Sequence, residues 1–276
     1  MKKKVLIIIA IVCFSQLAMG KYEPWNYNMV QMSLFEGNNS ADSTRGSVDD
    51  IYVEMEGFHR YKLLDLYWFT DFFDILNSND SDMHGVKPSI YGEFNPRISL
   101  DGLLGKDLSI GRFNEWFLSY QLDYDNGDYK GGLRRHQIGI GTYFDSETFD
   151  YIRVNLFGRY APKSYGKPNE DKWDGYLFNV AYLAPLYKFE NGWSVVYSGW
   201  VDYVFGAKES EKYNNSWNGT SGTDNSLQWF HQLKLQIDNF SISTSVKFNH
   251  NFTEVASSSS NSSDSTQYIL GVHYKF

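Results

Sequence analysis

The amino-acid sequence predicts an all-β chain, a twelve-stranded antiparallel transmembrane β-barrel of an outer membrane. Three observations lead there. Aromatic residues make up 18% of the 276 residues, with 8 Trp, 21 Tyr and 20 Phe, yet mean hydropathy is only −0.45. Low bulk hydropathy with many aromatics suits a membrane barrel, in which only alternate residues meet lipid. Past residue 20 no apolar run approaches the length of a spanning helix. Alternation of period two then persists over about ten residues at a time, near the roughly 9–11 that a tilted membrane strand needs and longer than a soluble sandwich strand.

The first element is not part of the barrel. Lys2, Lys3 and Lys4 precede an apolar stretch from Val5 to Phe14, and Ala18-Met19-Gly20 places small residues at a cleavage site. Residues 1–20 read as a secretory signal peptide, leaving 21–276 for the barrel. Cys13, the only cysteine, lies in the apolar stretch, and Val12 before it does not suit a lipoprotein cleavage site. The exported chain then has no disulfide, thiolate nucleophile or cysteine-ligated metal. Removing Lys2, Lys3 and Lys4 takes the net charge from −8 to −11. So acidic a chain is not a nucleic-acid binder.

Strands are read at 27–35, 48–60, 62–73, 88–97, 113–124, 133–144, 150–161, 173–185, 192–206, 226–238, 239–252 and 266–276. The pattern is clearest at the end, where Tyr268, Leu270, Val272, Tyr274 and Phe276 alternate with Ile269, Gly271, His273 and Lys275. Connections near 61, 145–149, 186–191 and 238–239 are short. Those at 36–47, 74–87, 161–172, 207–225 and 253–265 are long and rich in Ser, Asn, Asp and Gly. Short periplasmic turns and long outer loops alternate in this way in a barrel. The exceptions are 125–132, which is shortish, and 98–112, which is long. Pro96 is expected to mark a bulge or a strand end. Asn126-Gly127 reads as a tight hairpin turn, and Ser257 to Ser265 as a solvated loop tip.

Strand parity assigns a lumen face wherever the opposite face is apolar. It turns Glu54, Glu56 and Phe58 inward on one strand and Asp65, Tyr67, Phe69 and Asp71 on the next, with Trp68 toward lipid. Arg153, Asn155, Phe157 and Arg159 point inward on 150–161, and Ser198, Trp200 and Asp202 on 192–206, where Tyr203 faces lipid. Twelve strands enclose a lumen wider than an eight-stranded barrel filled by side chains and narrower than a sixteen-stranded porin.

Catalytic and metal motifs are weak. None of His59, His84, His136, His231, His250 and His273 is followed two residues later by Ser, the order used by barrel phospholipases. The stretch from Asp123 to Asp128 begins like a calcium loop, but its glycine comes one position early and Arg134 stands where the closing Glu belongs. Gly139-Ile140-Gly141 has no helix after it and reads as strand glycine. No cofactor or metal is expected.

The run Pro96-Arg97-Ile98-Ser99-Leu100-Asp101, with Asp107-Leu108-Ser109 and Glu115-Trp116 after it, resembles the Tsx family of nucleoside-specific channel-forming outer-membrane proteins. So does Trp173-Asp174-Gly175-Tyr176 with Pro185. The runs Tyr52-Val53-Glu54-Met55-Glu56 and Val201-Asp202-Tyr203-Val204-Phe205-Gly206 are similar to the OmpK branch, whose members also serve as phage receptors. The resemblance implies a monomeric barrel in outer-membrane lipid that passes nucleosides or deoxynucleosides. For such a neutral solute the inward aromatics would stack the base while carboxylates and arginines bond hydroxyls and base edge. The competing readings are a surface receptor or adhesin for phage or colicin without a transport role, and a lipid hydrolase.

Overall fold

The computed structural model describes residues 25–38, 47–73, 75, 89–127, 132–167, 169–208, 222–257 and 262–276. The expected signal peptide lies outside these residues. Twelve strands form one closed antiparallel sheet. They are β1 (Trp25–Asn38), β2 (Ser47–Tyr61), β3 (Leu64–Phe73), β4 (Ser89–Ser99), β5 (Phe113–Asp125), β6 (Leu133–Phe144), β7 (Tyr151–Ser164), β8 (Lys172–Lys188), β9 (Ser194–Phe205), β10 (Asn225–Ile237), β11 (Phe240–His250) and β12 (Ser265–Lys275). The seam closes β1 on β12, with Val30 opposite Tyr274 and Leu34 opposite Leu270. Closure leaves no free strand edge.

Alternation decides which face each side chain takes. On β12 Tyr268, Leu270 and Val272 stand outward, while Gln267, Ile269 and His273 are buried inside. Met32, Leu118, Ile138 and Ile242 continue the apolar exterior around the sheet. An apolar belt of this extent is stable only against lipid, and a closed sheet satisfies every backbone group that lipid cannot.

The start of β1, the end of β12 and the connections at 62–63, 100–112, 145–150, 189–193 and 238–239 lie at one end of the barrel, which is therefore the periplasmic end. Lys62 and Asp238 take left-handed backbone angles in the two-residue turns. The long exception at 98–112 is a structured periplasmic element. Ser99 caps a five-residue helix α1 (Leu100–Leu104) by accepting Gly102 N–H, and left-handed Gly105 ends it. The short exception runs from 126 to 132, so Asn126-Gly127 is not the two-residue turn expected. The Asn126 side chain instead accepts Ile90 N–H at 2.8 Å and extends the β4–β5 pairing.

Pro96 also departs from expectation. β4 continues through it to Ser99 without a shift of register, pairing Phe94 with Leu122 and Arg97 with Ser119. That register sets Pro96 opposite Tyr120, whose carbonyl lacks the usual strand donor because proline has no N–H. The Asn95 side chain donates to the Tyr120 carbonyl at 2.6 Å in its place. Register does shift between Pro185 and Tyr187 on β8 and between Gly158 and Tyr160 on β7. At the latter, Gly175 has φ +69°, and a Cβ there would meet the Phe205 carbonyl at 2.6 Å.

Candidate functional site

The lumen holds a cavity of about 1150 Å³. Glu54, Glu56, Phe58, Tyr67, Phe69, Asp71, Arg153, Arg159, Trp200 and Asp202 all line it, as parity expects. Asp65 and Phe157 also point inward, but they do not reach the cavity. Asp65 is consumed by an ion-pair cluster, and Phe157 is fully buried among Leu177, Val204 and Ala207. Neither is among the residues that line the cavity, which corrects their expected place as lumen-lining contacts.

Inward residues of β2, β3 and β4 form a file of rings, which Tyr151 of β7 joins from across the lumen. Tyr151 packs on Phe58 at 5.3 Å between centroids, Phe58 on Tyr67 at 6.1 Å, Tyr67 on Phe69 at 6.0 Å and Phe69 on Tyr91 at 5.8 Å. These are ordinary aromatic pair distances. Across the lumen Trp200 and Phe230 stack at 5.7 Å and 18°, with Lys247 Nζ 5.4 Å from the Trp200 ring.

Carboxylates accompany the file. Tyr67 donates to Glu56 at 3.3 Å and Tyr91 to Glu93 at 3.0 Å. Glu54 sits directly opposite Asp71 in the β2–β3 register. Asp202 accepts Asn179 Nδ2 at 2.6 Å, and Gln121 and Gln137 each donate to Asp123 at 2.9 Å. Thus β2 to β5 carry Glu54, Glu56, Asp71, Glu93 and Asp123, and cations line the cavity on both flanks of them, Arg135, Arg153 and Arg159 on β6 and β7 and Lys234 and Lys247 on β10 and β11. Lys234 and Lys247 fell on the polar faces of their strands, so parity could have included them. Tyr91 and Glu93 were missed because Gly92 and Pro96 blur the alternation of β4.

Buried charge clusters close in on the path from both ends. Near the periplasm, Arg97 Nε donates to Asp65 at 2.8 Å, with Arg153 at 3.4 Å and Arg60 at 3.9 Å from the same carboxylate. Tyr143 also donates to Asp65, and Arg60 and Ser99 donate to Glu115. Arg97 lies 4.1 Å from the centre of the Phe117 ring. Asp101 joins this cluster to the connection below by accepting Leu108 N–H at 2.7 Å and Trp116 N–H at 2.9 Å. The residues from Pro96 to Trp116 that carry the resemblance are therefore largely one hydrogen-bonded knot.

At the outer mouth the β11–β12 connection turns inward through a single 3₁₀ turn (Phe252–Glu254). Glu254 meets Arg159 at 2.8 Å, Lys167 at 3.4 Å and Arg135 at 3.9 Å. Burial alone would raise the Glu254 carboxyl, but Arg159, Lys167 and Arg135 together hold it well below the ordinary glutamate range. Nothing periodic in a loop sequence announces this glutamate.

A closed twelve-stranded barrel with an apolar exterior and a polar, aromatic-lined lumen is an outer-membrane channel. The family model for the nucleoside-specific channel-forming protein Tsx matches residues 26–276, and the chain belongs to that family. It is 31% identical over 254 residues to the outer membrane protein OmpK of Vibrio parahaemolyticus, covering 91% of this chain and 88% of that one. It is also 31% identical over 207 residues to the Tsx protein of Salmonella typhimurium, covering 74% and 69%. Among solved structures, the NanC porin aligns over 89% of this chain and 100% of its own, with a TM-score of 0.47 at 7% identity.

Proposed function

We propose that this channel conducts nucleosides by passive diffusion, selecting them by weak stacking and hydrogen bonding along the lumen. The observation that carries the reading is the file Phe58, Tyr67, Phe69 and Tyr91 with Glu56 and Glu93 bonded into it. Ring faces suit a base, and carboxylates suit ribose hydroxyls, which are donors. Stacking contributes roughly 1–3 kcal/mol per base in single-strand binders. Affinity must stay low and distributed so that the solute leaves as readily as it enters.

No catalytic step is part of this reading. Ser243 and His273 do contact each other at 2.7 Å, but both are buried, neither lines the cavity, and His273 Nδ1 has no hydrogen-bond partner to orient the ring. A nucleophile needs a base held by a third group and open to substrate.

Purified protein in planar bilayers, titrated with adenosine, thymidine and glucose, tests the proposal. Block of ion conductance by nucleoside at concentrations well below those needed for glucose supports it. Equal block by all three, or none, defeats it and favours a surface receptor without a transport role.

A further inference from the structure

The connection between β4 and β5 does more than close a hairpin. Leu103, Leu104, Ile110 and Phe113 are 43%, 58%, 67% and 41% exposed. They are not on a loose loop. Asp101 accepts Leu108 and Trp116 N–H, Lys106 N–H bonds the Asp101 carbonyl at 3.0 Å, Asp107 accepts Ser109 N–H at 2.9 Å, and Ile110 pairs with Phe113. A segment fixed by this many bonds and still presenting four large apolar side chains is held ready for an apolar medium.

We propose that this connection is a foot seated in the periplasmic leaflet, with Leu103, Leu104 and Ile110 inserted at the boundary between phospholipid headgroups and acyl chains. Continuity with the lipid-facing wall selects lipid as the occupant. Phe94 and Ile98 on β4, Leu64 on β3 and Leu118 on β5 stand on the outer face of the strands that meet the connection, and all are exposed. The foot therefore carries the apolar belt beyond the ends of β4 and β5. Lys106 and Arg112 lie in the same segment, both exposed, with Arg112 4.0 Å from Glu147 of the β6–β7 connection, and long basic stems of this kind can reach from an apolar surface to headgroup level. The acid between them, Asp107, is turned back onto Ser109. A foot on one side of the ring would fix both the depth of the barrel and its tilt.

Single cysteines placed in a Cys13→Ser background and labelled with a fluorophore test the proposal. The vesicles are of phosphatidylethanolamine and phosphatidylglycerol, with or without brominated acyl chains. Labels at Leu104→Cys and Ile110→Cys are expected to be quenched by bromolipid several-fold more than by aqueous iodide, as is a mid-wall label at Leu270→Cys, with bromines near the headgroup end of the acyl chain more effective at 104 and 110 than bromines deeper in it. A label at Glu190→Cys, exposed on the β8–β9 connection and away from the foot, is the aqueous control. If the labels at 104 and 110 follow iodide as the Glu190 label does, the foot stands in water and the proposal fails. That outcome would point to a periplasmic protein as the partner of this surface.

Discussion

Phe69 and Trp200 bring ring faces to the cavity from opposite sides, while Trp68, next to Phe69, and Tyr203, three residues after Trp200, point to lipid. Replacing Phe69 or Trp200 with Ala should weaken nucleoside block about 5- to 150-fold. Conductance to salt should stay equal or rise, because the path widens. Trp68→Ala and Tyr203→Ala should leave block unchanged in the same bilayer measurement. These faces were legible because Leu64, Leu66 and Trp68, like Val201 and Tyr203, mark the lipid side unambiguously. Contact with solute was less legible than direction. Parity says that Phe157 points inward, but not that Leu177 and Val204 will cover it. A different residue shows how tightly the sheet is built. A Cβ on Gly139 would lie 1.8 Å from the Leu156 carbonyl oxygen, so backbone and not a movable side chain fills the space. Gly139→Ala should therefore destabilise the barrel by about 1–3 kcal/mol, read as a lower urea midpoint of the folded electrophoretic band.

At the scale of elements, backbone bonds hold the β11–β12 connection, and the Glu254 carboxylate ties it to Arg159, Lys167 and Arg135. Because the Glu254 pKa is held below its ordinary value of 4.5, the ionised form stabilises the fold fully above that value and the contribution is lost as pH falls below it. The difference in thermal midpoint between wild type and Glu254→Gln should be constant from neutral pH down to about 5 and shrink in stronger acid. An acid-independent difference would mean that the latch does not act through charge. The periplasmic knot should be less forgiving. Asp65→Ala leaves Arg97 buried without its main countercharge, and a loss of about 3–5 kcal/mol is expected in urea unfolding. Neither cluster was legible as such in the sequence. Glu254 comes from a loop, where no periodicity assigns a direction. Asp65 reads as one more inward acid until Arg60, Arg97 and Arg153 converge on it from three other strands.

For the whole molecule, closure is the decisive property. Phe276 N–H bonds the Asn28 carbonyl at 3.2 Å, and Tyr274 pairs with Val30 across the seam and with Phe240 of β11 on its other side. Deleting Tyr274 to Phe276 should yield degraded chain and no heat-modifiable band in outer-membrane fractions. Strand number, order and facing were all legible, since lipid enforces alternation wherever a strand crosses it. Strand ends were not. β1 and β8 run beyond the 27–35 and 173–185 expected, to Trp25–Asn38 and Lys172–Lys188. Outside the bilayer either face accepts polar residues, so the ladder continues after the pattern has stopped. The distribution of charge around the ring has one further effect. Carboxylates on β2 to β5 are flanked by Arg135, Arg153 and Arg159 on β6 and β7 and by Lys234 and Lys247 on β10 and β11, so both signs of charge are distributed around the wall of one cavity. A wall of mixed sign sets no single-sign barrier in the path, and its pull on an ion reaches less far than that of a lumen lined by one charge.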